Sequence, residues 1–401
     1  MRLAKVMETG FGDAINRRLE HAVPDEKESG SRLLFLITRM DSIGGAQTHV
    51  LEMCQAARKL GWEVHLSYGV GEVDTSDARL DGIELHQLKL LQREISPVQD
   101  LKAVKSIRKL IRELKPDLVS THSSKAGIVG RFACVAERQC NVHTAHGWAI
   151  CHSGPFLKKM VYRVLESCVQ RFAHGVICVS EWDKLFATSK LRLKEATIKV
   201  VHNGCADPQD KGYEVALMLG IRPIRIAFVG RQAWPKQPES LLRYARYREG
   251  DVEIDFIGDG PDLEKTKLAA EGMGISELVE FHGHVEDVNA ILARCQIFAL
   301  VSDWEGFPLS TIEAMAMGLP TVVSNVGGAA EAVDNGVTGI LVARGNEKAL
   351  FEALDLLLND FERRSSSAKH ARRRYEREFG VDKMTSSALT FYESILAAYK
   401  S

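Results

Sequence analysis

The 401-residue chain has no run of about 18 consecutive apolar residues, which excludes a transmembrane helix. Its opening stretch, Met1 to His21, lacks the long apolar core of a secretion signal, so a cytoplasmic protein is expected. It has almost no net charge. Fifty-two Lys and Arg oppose 53 Asp and Glu, for a formal charge of -1, which argues against a dedicated nucleic-acid binder. No two of its eight cysteines form a CxxC pair; they are scattered at positions 54, 134, 140, 151, 168, 178, 205 and 295. Disulfide scaffolding and a structural zinc site are therefore disfavoured, and free, mostly buried thiols are expected. A GxGxxG dinucleotide fingerprint is also missing.

What is present is an ordinary globular composition, 45% apolar and 26% charged, long enough for two or three domains. Residues 1–30 read as a polar extension. Arg32 to Met40 contains the buried-strand pattern LLFLI. After Gly44-Gly45, residues 46–61 carry apolar side chains at helical spacing and end in glycine. The strand-helix-strand pattern then repeats through Asp117–His122, NVHTAHG and GVICVS. A second series starts near Ile224 with IRIAFVG, VEIDFIGDG, LVEFHGH, CQIFALVSD and LPTVVSN. Two α/β domains of similar size follow, joined between about Gly204 and Arg222, with an amphipathic helical tail. No internal repeat is visible.

In open α/β sheets, ligands bind beyond the C-terminal ends of the strands, and the unusual polar residues fall there. Gly44-Gly45 opens a helix, where free amides favour phosphate; a tight turn is the other reading. His146 ends NVHTAHG and can donate to a sugar hydroxyl or serve in the core. His122, His143, His146 and His152 match no compact zinc spacing. Arg231 and Lys236 lie five residues apart in the loop after IRIAFVG, where they can clamp a diphosphate or merely face solvent. Gly258 to Pro261 form a turn. Glu305 sits in the loop after IFALVSD, and Glu313 lies eight residues on, along a helix beginning near Leu309. Carboxylates so placed can each bind a diol of a sugar or ribose, beside helix-start amides fit for phosphate. They also fit the exposed face of an amphipathic helix.

Taken together in order and spacing, these segments resemble the family 4 glycosyltransferases over about residues 32–400. The matching pieces are IGGAQTHV, AHGW, CVSEWDK, VHNG, GRQAWPK, GDGP, FHGHVED, the E-x7-E pair Glu305/Glu313 and GLPTVVSNVGGAAEAVDNGVTGILV. The resemblance implies the GT-B architecture, two Rossmann-like doubly wound domains facing across a cleft. It implies an acceptor domain over 31–210, a donor domain over 222–380, and a helix over 381–401 that can cross back. Arg231 and Lys236 would hold the donor diphosphate, Glu313 the ribose, and Glu305 the donor sugar near its 3-hydroxyl. Val285 would contact the base through its backbone. His146 would lie near the transferred sugar, and Gly44-Gly45 near its phosphate or the acceptor. Gly258 would line the nucleotide site, and amides around Phe307, Pro308, Leu309 and Ser310 would cap the phosphate. Two departures stand out. His202 replaces the usual proline before Asn203-Gly204, and Trp234-Pro235 precede Lys236 in place of a Pro-Glu-like pair.

The activity implied is sugar transfer with retention and without a catalytic metal. The expected donor is a UDP-sugar, with GDP-mannose as the alternative. An epimerase on the same fold and a non-catalytic nucleotide-sugar-binding protein are the other readings. Residues 101–171 hold 13 Lys or Arg against 4 Asp or Glu. Ser153 to Phe172 mixes apolar residues with Lys158, Lys159, Arg163 and Arg171. Together with the resemblance to bacterial envelope and capsule enzymes, this predicts a saccharide or lipid-linked acceptor. It also predicts peripheral contact with the inner face of an anionic membrane.

Overall fold

Leu33 to Ile37 are all buried, as a strand must be when helices cover both faces of its sheet. The structure is a computed structural model that describes residues 30–41, 44–94, 96–148, 156–211 and 222–401. The N-terminal extension, the middle of the interdomain junction, Cys151, His152 and the side chains of Lys158 and Lys159 lie outside the described residues.

The first sheet contains β1 (Arg32–Ile37), β2 (Glu63–Tyr68), β3 (Glu84–Gln87), β4 (Leu118–His122), β5 (Asn141–Ala145), β6 (Gly175–Cys178) and β7 (Ile198–Val200). Its order is β3-β2-β1-β4-β5-β6-β7. The second contains β8 (Ile224–Val229), β9 (Val252–Ile257), β10 (Val279–Gly283), β11 (Ile297–Leu300), β12 (Thr321–Ser324) and β13 (Gly339–Val342), in the order β10-β9-β8-β11-β12-β13. Both sheets are parallel throughout. In each, the order reverses between two central strands, β1/β4 and β8/β11. That switch point opens a crevice at the strands' C-terminal ends. The two crevices face one another, which is the GT-B arrangement expected from the sequence.

Among the elements that escape the sequence pattern, two show why. β3 is a four-residue, half-exposed edge strand with the polar sequence ELHQ. The helix Ser124–Glu137 carries Gly127 and Gly130 in its interior, which lowers its intrinsic propensity. Close packing explains both glycines. A Cβ on Gly127 would lie 2.5 Å from the His143 ring, and one on Gly130 2.7 Å from Leu36.

The tail divides its packing between the two halves. The helix Phe361–Glu378 stays with the second half, where Arg372 bonds the Ala316 carbonyl at 2.7 Å and pairs with Asp207 at 2.6 Å. The chain then passes Gly380, which bridges to Cys205, and the helix Val381–Lys400 returns to the first sheet. Its Met384, Ala388, Leu389, Tyr392 and Leu396 share a core with Leu33, Phe35 and Ile37. Each large apolar side chain so buried contributes about 1.5–3 kcal/mol, enough to hold the helix there. Gly204 lies where the chain crosses itself, since a Cβ would approach the Gly380 carbonyl to 2.7 Å. All seven described cysteines are free, and all but Cys168 are buried.

Candidate active site

The helix Gly45–Lys59 begins at the cleft after β1. Gly44 is extended, and the first turn carries no acidic side chain to occupy its amides. Neither Gly44 nor Gly45 needs a left-handed backbone. A Cβ on Gly45 would lie 3.6 Å from Leu309, in ordinary van der Waals contact, so this helix start comes up directly against the second half.

Across the cleft, the loop after β8 brings Lys236 to Glu305. Its ammonium pairs with Glu305 Oε1, and Ser302 Oγ donates to the same oxygen at 2.6 Å. Lys236 also bridges Ser302 through the backbone, which ties the loops after β8 and β11 together. Glu305 is buried and so is held by two donors, as a desolvated carboxylate requires. Arg231 is exposed. Its charge helps Arg39 hold the Asp41 carboxyl, on the opposite side of the cleft, below its ordinary range. Gly258 has a left-handed φ of 122°, and a Cβ would come within 2.3 Å of the Gly230 carbonyl. Its role in the geometry is to let the turn at 258–261 pack beneath the Arg231 loop. Val285 lies half-buried just beyond β10. Glu313 is half-buried on the helix Leu309–Ala316, whose N-cap is Pro308. Asn203 Nδ2 donates to the Phe307 carbonyl at 2.8 Å and fixes the turn into that helix. Ser310 lies in the helix's first turn, close to the same start.

His146 is part of a histidine cluster. His122 Nδ1 and His146 Nε2 face each other at 3.0 Å, and His49 meets His146 edge-on with ring centroids 4.8 Å apart. Burial pushes His49 down to about 4 and His122 and His146 well below the ordinary histidine range, so all three are neutral at pH 7. One ring nitrogen from each lies within 4.8 Å of the others, close enough to hold a metal ion. His65/Glu84/His86 and Asp255/Glu280/His282 form similar groups, but Asp255 is already paired with Arg225 and Arg294. His143 points elsewhere, 3.1 Å from the Thr121 carbonyl oxygen.

The halves touch through pairings the sequence did not reveal, some of them between residues it had singled out. His49 Nδ1 meets Asn203 Oδ1 at 3.1 Å, linking the Gly45 helix to the Phe307 turn. Glu331 crosses from the second half and accepts the amides of Glu181 and Trp182 at the start of the helix Glu181–Lys190. It also meets His202 Nε2 at 2.9 Å. Burial raises its carboxyl, but His202 and the amides outweigh that and hold it below the usual range. His202, the departure before Asn203-Gly204, thus has a partner of its own. Gly147 allows the loops after β5 and β11 to meet, for its φ is 90° and a Cβ on it would lie 2.1 Å from the Trp304 ring. These pairings join segments more than 100 residues apart, and in the sequence only the unusual His202 before Asn203-Gly204 hints at one of them.

Comparison with known proteins gives the family and the fold. Residues 43–207 match the model described as Glycosyltransferase Family 4, and residues 220–374 that for Glycosyl transferases group 1. An Escherichia coli UDP-Gal:alpha-D-GlcNAc-diphosphoundecaprenol alpha-1,3-galactosyltransferase is 32% identical over 295 residues, covering 70% of this chain and 76% of its own length. The Staphylococcus aureus capsular polysaccharide biosynthesis glycosyltransferase CapM is 25% identical, covering 84% of this chain and 92% of its own. Among solved structures, Anabaena HepE in complex with UDP and glucose superposes with a TM-score of 0.78 at 21% identity, over 90% of this chain and 99% of that one, a likeness of fold. The two matched segments meet across the cleft that holds Lys236, Glu305 and His146, and the chain belongs to the GT-B glycosyltransferases, a relative of the bacterial envelope and capsule sugar transferases.

Proposed function

We propose that this enzyme moves a sugar, with retention, from a UDP-sugar to a saccharide or lipid-linked saccharide. The observation that carries this is the junction of Lys236, Glu305 and Ser302 at one switch point, opposite His146 and an open helix start at the other. The bond from the anomeric carbon to the diphosphate oxygen breaks. The acceptor oxygen bonds that carbon on the same face, and its proton passes to the leaving diphosphate. Arg231, Lys236 and the amides from Phe307 to Ser310 stabilise the charge that develops, an electrostatic form of catalysis that asks for no metal. Glu313 takes the ribose, and Val285 the base.

Glu305 positions the sugar in this reading. A nucleophilic carboxylate stands free beside the anomeric carbon, whereas Oε1 of Glu305 is taken up by Lys236 and Ser302. The relatives' names support UDP as the nucleotide and an undecaprenol diphosphate as one form of acceptor. UDP should raise the melting temperature more than GDP or ADP at equal concentration, and turnover with a UDP-sugar should survive EDTA. A larger shift with GDP would move the donor to the GDP-mannose alternative.

The acceptor reading extends to a membrane surface. Among the described residues no helix is long and apolar enough to span one. The helices Ser124–Glu137 and Phe156–Val169 nevertheless expose Phe132, Val135, Met160 and Val164, within the stretch that is rich in Lys and Arg. Exposed apolar residues beside cations suit an anionic interface. Liposome flotation should show binding that needs anionic lipid, weakens with salt and drops on charge reversal at Lys158, Lys159 and Arg163. Absence of binding at low salt, with full activity on a small soluble acceptor, would place the acceptor in solution.

A further inference from the structure

The returning C-terminal helix does more than fill the first core. Tyr392 is fully buried, and its hydroxyl lies 2.6 Å from Ser120 Oγ on β4. Ser120 Oγ lies 2.9 Å from His122 Nε2, and His122 Nδ1 lies 3.0 Å from His146 Nε2. Four side chains from three separate segments thus form one unbroken file ending at the cleft.

The file has a direction. A phenol and a serine hydroxyl each have one proton to donate, and a neutral imidazole has one donor and one acceptor nitrogen. If Tyr392 donates to Ser120, then Ser120 donates to His122 Nε2. The His122 proton must then sit on Nδ1, which donates to His146 Nε2. The proton of His146 is left on Nδ1. The reverse order would turn the phenolic proton toward Thr144 Oγ1, the buried hydroxyl beside it, and leave that hydroxyl's own proton with no other acceptor, whereas in the first order Thr144 donates to the phenol oxygen. An unmade buried hydrogen bond costs its full desolvation, so the first order wins.

We propose that Tyr392 is a positioning residue for the transfer reaction, acting through Ser120 and His122 to hold His146 as the Nδ1–H tautomer. This rests on the reading above that His146 meets the transferred sugar, to which the fixed N–H then donates. His49, whose Nδ1 is engaged by Asn203 and whose Nε2 has no partner, packs against the ring edge-on and helps set its orientation. The neutrality of all three histidines keeps the file intact at pH 7.

The test uses the full chain labelled with 15N, with the His146 signals assigned by their loss in His146→Gln. Long-range 15N–1H correlation should find the wild-type His146 protonated at Nδ1. Tyr392→Phe, which removes the terminal donor, and Ser120→Ala, which cuts the file in the middle, should each mix the tautomers. Each should lower kcat roughly tenfold, the scale of one lost hydrogen bond, with donor KM unchanged. A filler role for Tyr392 would leave the tautomer in place. The Nε2–H form in the wild type, or an unshifted Nδ1–H form in both variants, overturns the relay. Tautomer mixing with undiminished kcat instead removes His146 from the sugar, which overturns Tyr392's part in catalysis by way of the functional reading.

Discussion

Lys236→Ala should lower kcat/KM by roughly 10²-fold or more, and Arg231→Ala should do the same. The Lys236 ammonium pairs with Glu305 inside a mostly buried site. In the proposed reaction a donor diphosphate brings more negative charge to the same place, and that charge grows as the glycosidic bond breaks. An ammonium already fixed there needs little reorganisation to meet it, which is why its loss weighs on the transition state. Truncation also leaves Oε1 of buried Glu305 to Ser302 alone, so the carboxylate proposed to meet the sugar loses its orientation. Lys236→Arg is expected to recover little, because a planar fork does not replace a point charge folded back over Gly230. Steady-state kinetics with a UDP-sugar, alongside circular dichroism to check the fold, decides the matter. Wild-type turnover in both alanine variants would sink the diphosphate clamp.

The largest expected effect on stability lies outside the cleft. Arg131 and Glu166 are fully buried and pair at 2.8 Å, joining the helices Ser124–Glu137 and Phe156–Val169. Arg131 also bonds the Gly127 carbonyl at 2.7 Å, and Gln170 donates to Glu166 at 3.1 Å. Removing one partner of such a pair strands the other charge in a dry interior. Glu166→Ala should therefore cost about 3–5 kcal/mol, whereas Glu166→Gln, which still accepts a hydrogen bond, should cost less. Urea unfolding of the variants measures both. A loss below about 1 kcal/mol for Glu166→Ala would mean that water reaches Arg131.

The sequence pattern exposed the central strands because burial on both faces makes them continuous apolar runs, as in LLFLI and IAFV. It exposed the loops that carry Arg231, Lys236, Glu305 and Glu313, the residues proposed to bind the donor, because they lie in short segments that each follow a strand. β3 was hidden because an edge strand needs little apolar surface. The helix Ser124–Glu137 was hidden because its glycines serve packing at the expense of propensity. The contacts that assemble the cleft were hidden for a different reason. Tyr392 with Ser120, Asn203 with His49 and Phe307, and Glu331 with Glu181, Trp182 and His202 are pairings between distant segments, and a periodicity is a local property. His202 could be flagged as unusual from the sequence, but its carboxylate partner needed the fold.

The return of the last helix to the first sheet also orders events during synthesis. Domains generally fold as units in the sequence in which they leave the ribosome, N-terminal first. Here Met384, Leu389, Tyr392 and Leu396 complete the core around Leu33, Phe35 and Ile37, and they emerge only after the whole second sheet has been made. Until then the first half carries an open apolar face on its sheet. The nascent chain must wait with that face uncovered while the second half folds beside it. This is the interval in which chaperone capture, or pairing with another nascent copy, competes with docking of the final helix.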